Sequence, residues 1–164
     1  MNIYVCDNKE TIKVKKSDIF INEFDNIKSC IGCFKCWINK ENKCVFNDSI
    51  RDIPNKILNC KNIILISKIS YGCYSSNIKK VLERIISFVS PYFTIRENEI
   101  HHILKCKDVN LQVFIYNKVT LNSRKVFESL VKRNIKNFGI KSTSIIYFQD
   151  YKEIKEYIEG GSIS

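Results

Sequence analysis

Apolar residues recur along this chain in two rhythms, one suited to strands and one to helices. Asn2–Cys6 is a short apolar run, and Asp18–Phe24 is a second strand candidate. The run Asn62–Ser67 is apolar on both faces, as in a central parallel strand covered from both sides. Val109–Tyr116 and Ser142–Phe148 complete a set of five predicted strands. Ile78, Val81, Leu82, Ile85, Ile86 and Val89 mark one face of a helix predicted over Ser76–Ser90, capped by Ser75 or Ser76 and stopped by Pro91. Phe127, Leu130, Val131 and Phe138 do the same for Ser123–Phe138, with Gly139 as its stop. Shorter helices are predicted from about Ile50 to Asn59, capped by Asp48 or Ser49 with Pro54 near the first turn, and over Asp150–Glu159, where Asp150 and Glu153 are spaced as a capping box. The tail Gly160–Ser164 is expected to fray.

Strands alternating with helices predict an α/β fold with a mostly parallel, doubly wound sheet. In that architecture ligands sit at the carboxyl ends of the strands, so the sequence after the third strand is the place to seek a site. One interval breaks the pattern. Cys6–Ser17 has no glycine and no helical stripe, and Ile12 and Val14 alternate as in a strand. A crossover with its helix needs roughly 10–12 residues, so the first crossover helix is expected to be missing.

The strongest chemical signal is Cys30-Ile-Gly-Cys33-Phe-Lys-Cys36, closed by Cys44, a C-x2-C-x2-C-x7-C spacing. Three thiolates two residues apart can converge from one tight loop, and a fourth can close the set, as iron–sulfur clusters require. Zinc takes four cysteines too, though usually as two separated pairs. Four reduced thiols without metal are the third reading. Cys6, Cys60, Cys73 and Cys106 lack such spacing and read as small hydrophobes. The second signal is Ser67-Lys68-Ile-Ser70-Tyr71-Gly72-Cys-Tyr74-Ser75-Ser76, which leaves the central strand for a helix N-terminus, a place suited to anions and dipoles. The plain alternative is a strand-to-helix turn with a serine cap.

Together these segments resemble the NADPH-dependent FMN reductase and iron–sulfur flavoprotein family. The cysteine loop, with Lys43-Cys44-Val45 and Asn47-Asp48, is similar to that family's cysteine-bearing loop, and its iron–sulfur branch ligates a cluster there. Ser67–Ser76 resembles its flavin loop, and Lys80-Val-Leu-Glu-Arg84, Pro91-Tyr-Phe93 and Glu99-Ile-His-His102 match neighbouring stretches. The resemblance covers about residues 27–105. It implies a flavodoxin-like three-layer sandwich with a five-stranded sheet and an FMN-dependent NAD(P)H oxidoreductase or electron-transfer flavoprotein. Ser67, Lys68, Ser70, Tyr71, Gly72, Tyr74, Ser75 and Ser76 would hold FMN, with Tyr71 and Gly72 against the ring. Cys30, Cys33, Cys36 and Cys44 would hold a [4Fe–4S] cluster. The family's proline is Lys68 here and its first tyrosine is Ser70. Its Gly-Ser-x-Arg phosphate loop and the helix after it have no counterpart, leaving Asp7, Asn8 and Lys9 in that place. The alternative is therefore a degenerate, cofactor-free subunit acting as a dimer partner or binding module.

Length and composition add bounds. The 164 residues suit one domain, residues 1–159, with the short tail beyond it. No stretch approaches the roughly 20 apolar residues of a membrane span, and the N-terminus reads as a strand rather than a signal peptide, so a cytoplasmic location is expected. Eight cysteines in a reducing compartment point away from disulfides. The net charge of +10 attracts anions such as a flavin phosphate, NAD(P)H or an acidic redox protein, or reflects a lysine-rich surface. No nucleic-acid motif is visible. His101 and His102 read as an exposed pair in a dimer-facing loop, Tyr92 and Phe93 as packing residues, and a homo-oligomer or a hetero-oligomer with a related flavoprotein is expected.

Overall fold

A computed structural model describes residues 1–105 and 108–161. The sheet is built from β1 (Asn2–Cys6), β2 (Ile19–Ile21), β3 (Asn62–Ser70), the short β4 (Cys73–Tyr74), β7 (Asn110–Tyr116) and β8 (Thr143–Phe148). A separate hairpin holds β5 (Val89–Arg96) and β6 (Glu99–Leu104). The helices are α1 (Lys35–Ile38), α2 (Ile53–Leu58), α3 (Ser76–Arg84), α4 (Leu121–Phe138) and α5 (Tyr151–Glu159). The strand order is β2-β1-β3-β7-β8, all neighbours parallel, with β4 folded back antiparallel on the end of β3. The five predicted strands thus form a flavodoxin-like sheet in the 2-1-3-4-5 arrangement.

Strand alternation splits the core into two layers. Ile3, Val5, Ile63, Leu65, Val113 and Ile115 face α2, α3 and α4, meeting Ile53, Ile57, Ile78, Val81, Phe127 and Val131. Tyr4, Cys6, Ile64, Ile66, Phe114 and Tyr116 face the other way, onto α5 through Tyr151, Ile154 and Ile158. Where a first crossover helix would complete this second layer, residues 7–18 form an irregular strap. Ile12 is its apolar plug, 1% exposed. Tyr151 donates to the Glu10 carbonyl at 2.6 Å, and the Lys13 N–H donates to Glu159 at 2.9 Å, so α5 holds the strap down. The missing helix is observed as expected. The strand suggested by Ile12 and Val14 is not, because both neighbouring edges of β1 are already taken by β2 and β3. Asp18 lies outside β2 and accepts the Asn2 N–H at 2.8 Å.

The predicted helix Ser76–Ser90 ends early. α3 stops at Arg84, a 3-10 turn spans Ile86–Phe88, and the chain then enters β5. Its apolar stripe is still buried, because Val89 is swallowed by the start of the hairpin (2% exposed) rather than by a helix. α4 begins two residues earlier than predicted, where Thr120 Oγ1 accepts the Ser123 N–H. It ends at Gly139 in the left-handed region, where a Cβ would collide with Leu104 of β6 at 2.1 Å. Asp150 caps α5 through the Glu153 N–H, and Glu153 reaches back to the Gln149 N–H. Gly160 and Gly161 donate backbone hydrogen bonds of 2.9 and 3.1 Å to α5. Ser162–Ser164 and Cys106 lie outside the described residues. Among the described residues, no helix is long and apolar enough to cross a membrane.

Candidate functional site

The crevice between β1 and β3 is the switch point of this strand order, and a 2-1-3-4-5 sheet places its ligand there. β3 outruns its neighbours and turns back through Tyr71 and Gly72 into β4, pairing Ser70 with Cys73 and Ile69 with Tyr74. Both turn residues have positive φ, 51° and 73°, as a two-residue type I′ hairpin requires. Gly72 meets a second demand. Its face lies against α4, where an added Cβ would sit 2.9 Å from Val126 Cγ1. Tyr71 points entirely into solvent, leaving an unsupported aromatic ring at the crest of the central strand.

The remaining predicted flavin contacts divide in two. Lys68, Ser70 and Ser76 are exposed at the crest, available to a ligand. Ser67 is buried, and its Oγ accepts the Ser75 N–H at 3.0 Å and donates to the Lys68 carbonyl at 2.8 Å, locking the start of α3 to β3. Tyr74 is a core residue, 1% exposed and edge-on to Phe127 at 4.8 Å. Burial pushes its phenol well above the usual tyrosine range. Ser67 and Tyr74 are buried supports of the turn, and the half-buried Ser75 is tied to it through its N–H. The segment is thus a hairpin rather than the open strand-to-helix loop its serines suggest.

Asp7 follows β1 into the same crevice. Its carboxylate accepts the Lys68 N–H at 2.8 Å and the Tyr116 hydroxyl at 2.5 Å, with Ser67 Oγ 3.4 Å away. Burial and then this bond to Asp7 push the Tyr116 phenol above its ordinary range. Lys68 Nζ lies 5.5 Å from the centre of the Tyr116 ring. β1, β3 and β7 are therefore pinned together at their carboxyl ends by one aspartate. Tyr116 has no local signal in the sequence, since its partner is 109 residues away. Beside the hairpin, a cavity of about 680 Å³ opens at the ends of β7 and β8, lined among others by Lys118, Leu121, Arg124, Tyr147 and Gln149. Arg124 stacks over the Tyr147 ring at 4.2 Å and pairs with Glu128 at 2.9 Å.

The ring and the phosphate of the flavin that the resemblance implies would fit this end of the sheet differently. The exposed Tyr71 and the crest of β3 suit a flat heterocycle. A phosphate would find no glycine loop and no helix N-terminus after β1, and would meet the Asp7 carboxylate instead.

The four-cysteine loop lies elsewhere, against α3 and the hairpin. Cys30, Cys33, Cys36 and Cys44 line one small depression of about 20 Å³, shared with Ile31, Phe34 and Phe46. Among the described residues no group of three or more His, Cys, Asp or Glu side chains is arranged to hold a metal ion. Burial pushes the Cys36 thiol up. The spacing gathers the four thiols at one depression, with Cys30 and Cys33 exposed beside the turn at Phe34 (φ 55°) and the short α1, and this arrangement gives the expected [4Fe–4S] cluster no support. The loop is held by Arg84, which donates to both Asp48 oxygens at 2.8 and 2.9 Å and to the Lys28 carbonyl at 2.7 Å. Asp48, expected as a helix cap, serves this buried pair.

The hairpin β5–β6 replaces the expected dimer-facing loop. Arg96–Glu97-Asn98–Glu99 turns through two positive φ values, 50° and 61°. His101 is buried against α4, 5% exposed, rather than half of an exposed pair. His102 packs between Phe93 (4.5 Å) and Trp37 (5.2 Å). Trp37 Nε1 donates to the Val89 carbonyl at 3.0 Å, tying the cysteine loop to the hairpin. Tyr92 and Phe93, expected to pack, are 73% and 63% exposed. Cys6 and Cys60 are buried as expected, and Cys73 is half-buried.

No protein-family model and no curated protein matches the chain. Solved structures do. An FMN-dependent NADH-azoreductase from Bacillus anthracis str. Ames Ancestor, in complex with FMN, shares 13% identity and a TM-score of 0.57, with 97% of this chain and 93% of that chain covered. An NAD(P)H:quinone oxidoreductase from Methanothermobacter marburgensis shares 10% identity and a TM-score of 0.57 over 97% of this chain and 95% of that one. Smu.1420 from Streptococcus mutans UA159 shares 9% identity and a TM-score of 0.59 over 98% and 95%. At such identities the likeness establishes the architecture, which is the flavodoxin-like α/β sandwich.

Proposed function

We propose that this chain is a flavin-dependent NAD(P)H oxidoreductase whose flavin ring rests on the crest of β3. The observation that carries the reading is the Tyr71–Gly72 turn, which holds a fully exposed ring at the switch point of a sheet in the flavodoxin strand order. A bound flavin would supply the capacity to take up a hydride or electrons. The protein's part is positional. Tyr71 offers a flat face, Gly72 fixes its height over α4, and the crest residues Lys68, Ser70 and Ser76 border the ring edge. Lys118 and Arg124, in the cavity beside the hairpin, bring positive charge for the diphosphate of NAD(P)H, in keeping with the net charge of +10. The flavin-bearing and NAD(P)H-using neighbours support this reading, as does the resemblance of Ser67–Ser76 to a flavin loop. An acidic redox protein is the second donor that such a charge favours.

The test is an absorption spectrum of protein purified without oxygen, followed by flavin titration. Flavin bands, with affinity lowered about 3- to 10-fold by Tyr71→Ala through loss of one aromatic contact, are expected. Protein that stays colourless and takes up no flavin refutes the reading.

The Asp7 clasp favours a second reading, a cofactor-free subunit that works by binding a partner. The contact would be the outer face of the β5–β6 hairpin, where Phe93, Ile95 and Ile100 are 63–75% exposed. For this reading, and equally for an oligomeric oxidoreductase, we propose that a second copy of the chain covers this strip. Sedimentation should show a dimer that Ile95→Lys dissociates, and a monomeric wild type excludes it.

A further inference from the structure

We infer that the crest is built for a flavin without its terminal phosphate, riboflavin-like rather than FMN-like; the inference rests on the flavin reading above. In a 2-1-3-4-5 sheet the ligand's polar end reaches the β1–β3 crevice. Two features that make such a crevice attract phosphate are absent among the described residues: the glycine-rich turn after β1, and a helix beginning within residues 7–18. Asp7 stands in that position instead. Its carboxylate already takes up the Lys68 N–H, which lies at the end of the crevice, together with the Tyr116 hydroxyl. The Ser75 N–H at the start of α3 is engaged as well, donating to Ser67 Oγ at 3.0 Å. The crevice thus meets a phosphate with an internal carboxylate that already holds the Lys68 N–H.

Charge points the same way. A phosphate brings about −1.5 to −2 charges at pH 7, and here it would approach Asp7, with Glu10 on the same strap. Lys9 stands between them in sequence, exposed and 3.6 Å from the Asp25 carboxylate, which offsets part of its charge. Lys68 supplies positive charge at the crest, over Tyr116, and partly offsets the carboxylate. The uncharged ribityl hydroxyls of a dephosphorylated flavin meet no such repulsion and can donate to the carboxylate.

The experiment titrates wild-type protein with riboflavin and, separately, with FMN, following quenching of flavin fluorescence. Riboflavin is expected to bind at least about tenfold more tightly. Asp7→Asn, which keeps an acceptor for the Lys68 N–H, is expected to raise FMN affinity about tenfold and to weaken riboflavin binding, so that the preference for riboflavin collapses. Tighter binding of FMN than of riboflavin by the wild type overturns the inference while leaving the flavin reading intact. Binding of neither flavin overturns both. The wild-type comparison needs no variant, so it decides the matter even where Asp7→Asn does not fold.

Discussion

Removing Arg84 should unlatch the cysteine-bearing loop at a cost that the structure fixes within limits. The Arg84 and Asp48 side chains are 1% and 5% exposed, and the guanidinium is spent on two carboxylate bonds and the Lys28 carbonyl. Arg84→Met keeps the aliphatic bulk and strands a buried carboxylate. Breaking a buried pair from one side costs about 3–5 kcal/mol. For a protein of this size that lowers Tm by about 6–20 °C, at about 2–4 °C per kcal/mol. Urea unfolding followed by far-UV circular dichroism measures it, with an unchanged m-value showing that the native fold persists. Replacing both partners, Arg84→Met with Asp48→Leu, should recover much of the loss, since an apolar pair of similar volume leaves no orphan charge. The pH profile gives an independent arm. Burial pushes the Asp48 carboxyl up, but the bonds from Arg84 and the Lys28 N–H outweigh it, and the folded pKa lies below its ordinary 3.8. The pair's contribution is thus complete above about pH 4 and fades as pH falls through the folded value. Asp48→Asn should remove that acid-side decline. A loss below about 1 kcal/mol for Arg84→Met, the range of exposed pairs, would refute the clamp.

Other consequences follow from the same geometry. Gly72→Ala forces a side chain into φ 73° and against Val126; a loss of about 2–4 kcal/mol is expected in urea unfolding, partly recovered by adding Val126→Ala. Trp37 is the sole tryptophan and bonds Val89; removing its donor through Trp37→Phe should cost about 1 kcal/mol, measured by thermal unfolding, and wild-type Trp37 emission should shift to the red before global unfolding if the hairpin detaches first. Chelator treatment decides whether the four gathered thiols hold a metal: a fall in Tm beyond about 5 °C in calorimetry places one there, and a Tm within about 1 °C excludes it.

The sheet was legible because its strands obey simple patterns. A run buried on both faces, Asn62–Ser67, marked the centre of the sheet, and the stripes of α3 and α4 faced the core as their spacing requires. The absence of a first crossover helix was legible too, from the polar interval before Ser17. What was hidden depends on distant partners. Nothing near Asp7 reveals Tyr116, and nothing near Asp48 reveals Arg84. The β5–β6 hairpin was masked by Ile85, Ile86 and Val89, which continue a helical stripe although the helix ends at Arg84 once that side chain turns inward to Asp48. Its own signal was present in the β-rich Val89–Arg96 and in Asn98, a residue suited to positive φ. The cysteine spacing was accurate about proximity, since all four thiols line one depression although Cys44 lies eight positions after Cys36.

Nuclear magnetic resonance on 15N-labelled protein, titrated with riboflavin, locates the flavin on the chain. Amide shifts are expected to concentrate on Asp7, Lys68 and Ser70–Cys73 and to fade toward α5 and the hairpin. Shifts centred on the cysteine loop or the hairpin, or none at saturating flavin, would contradict that placement.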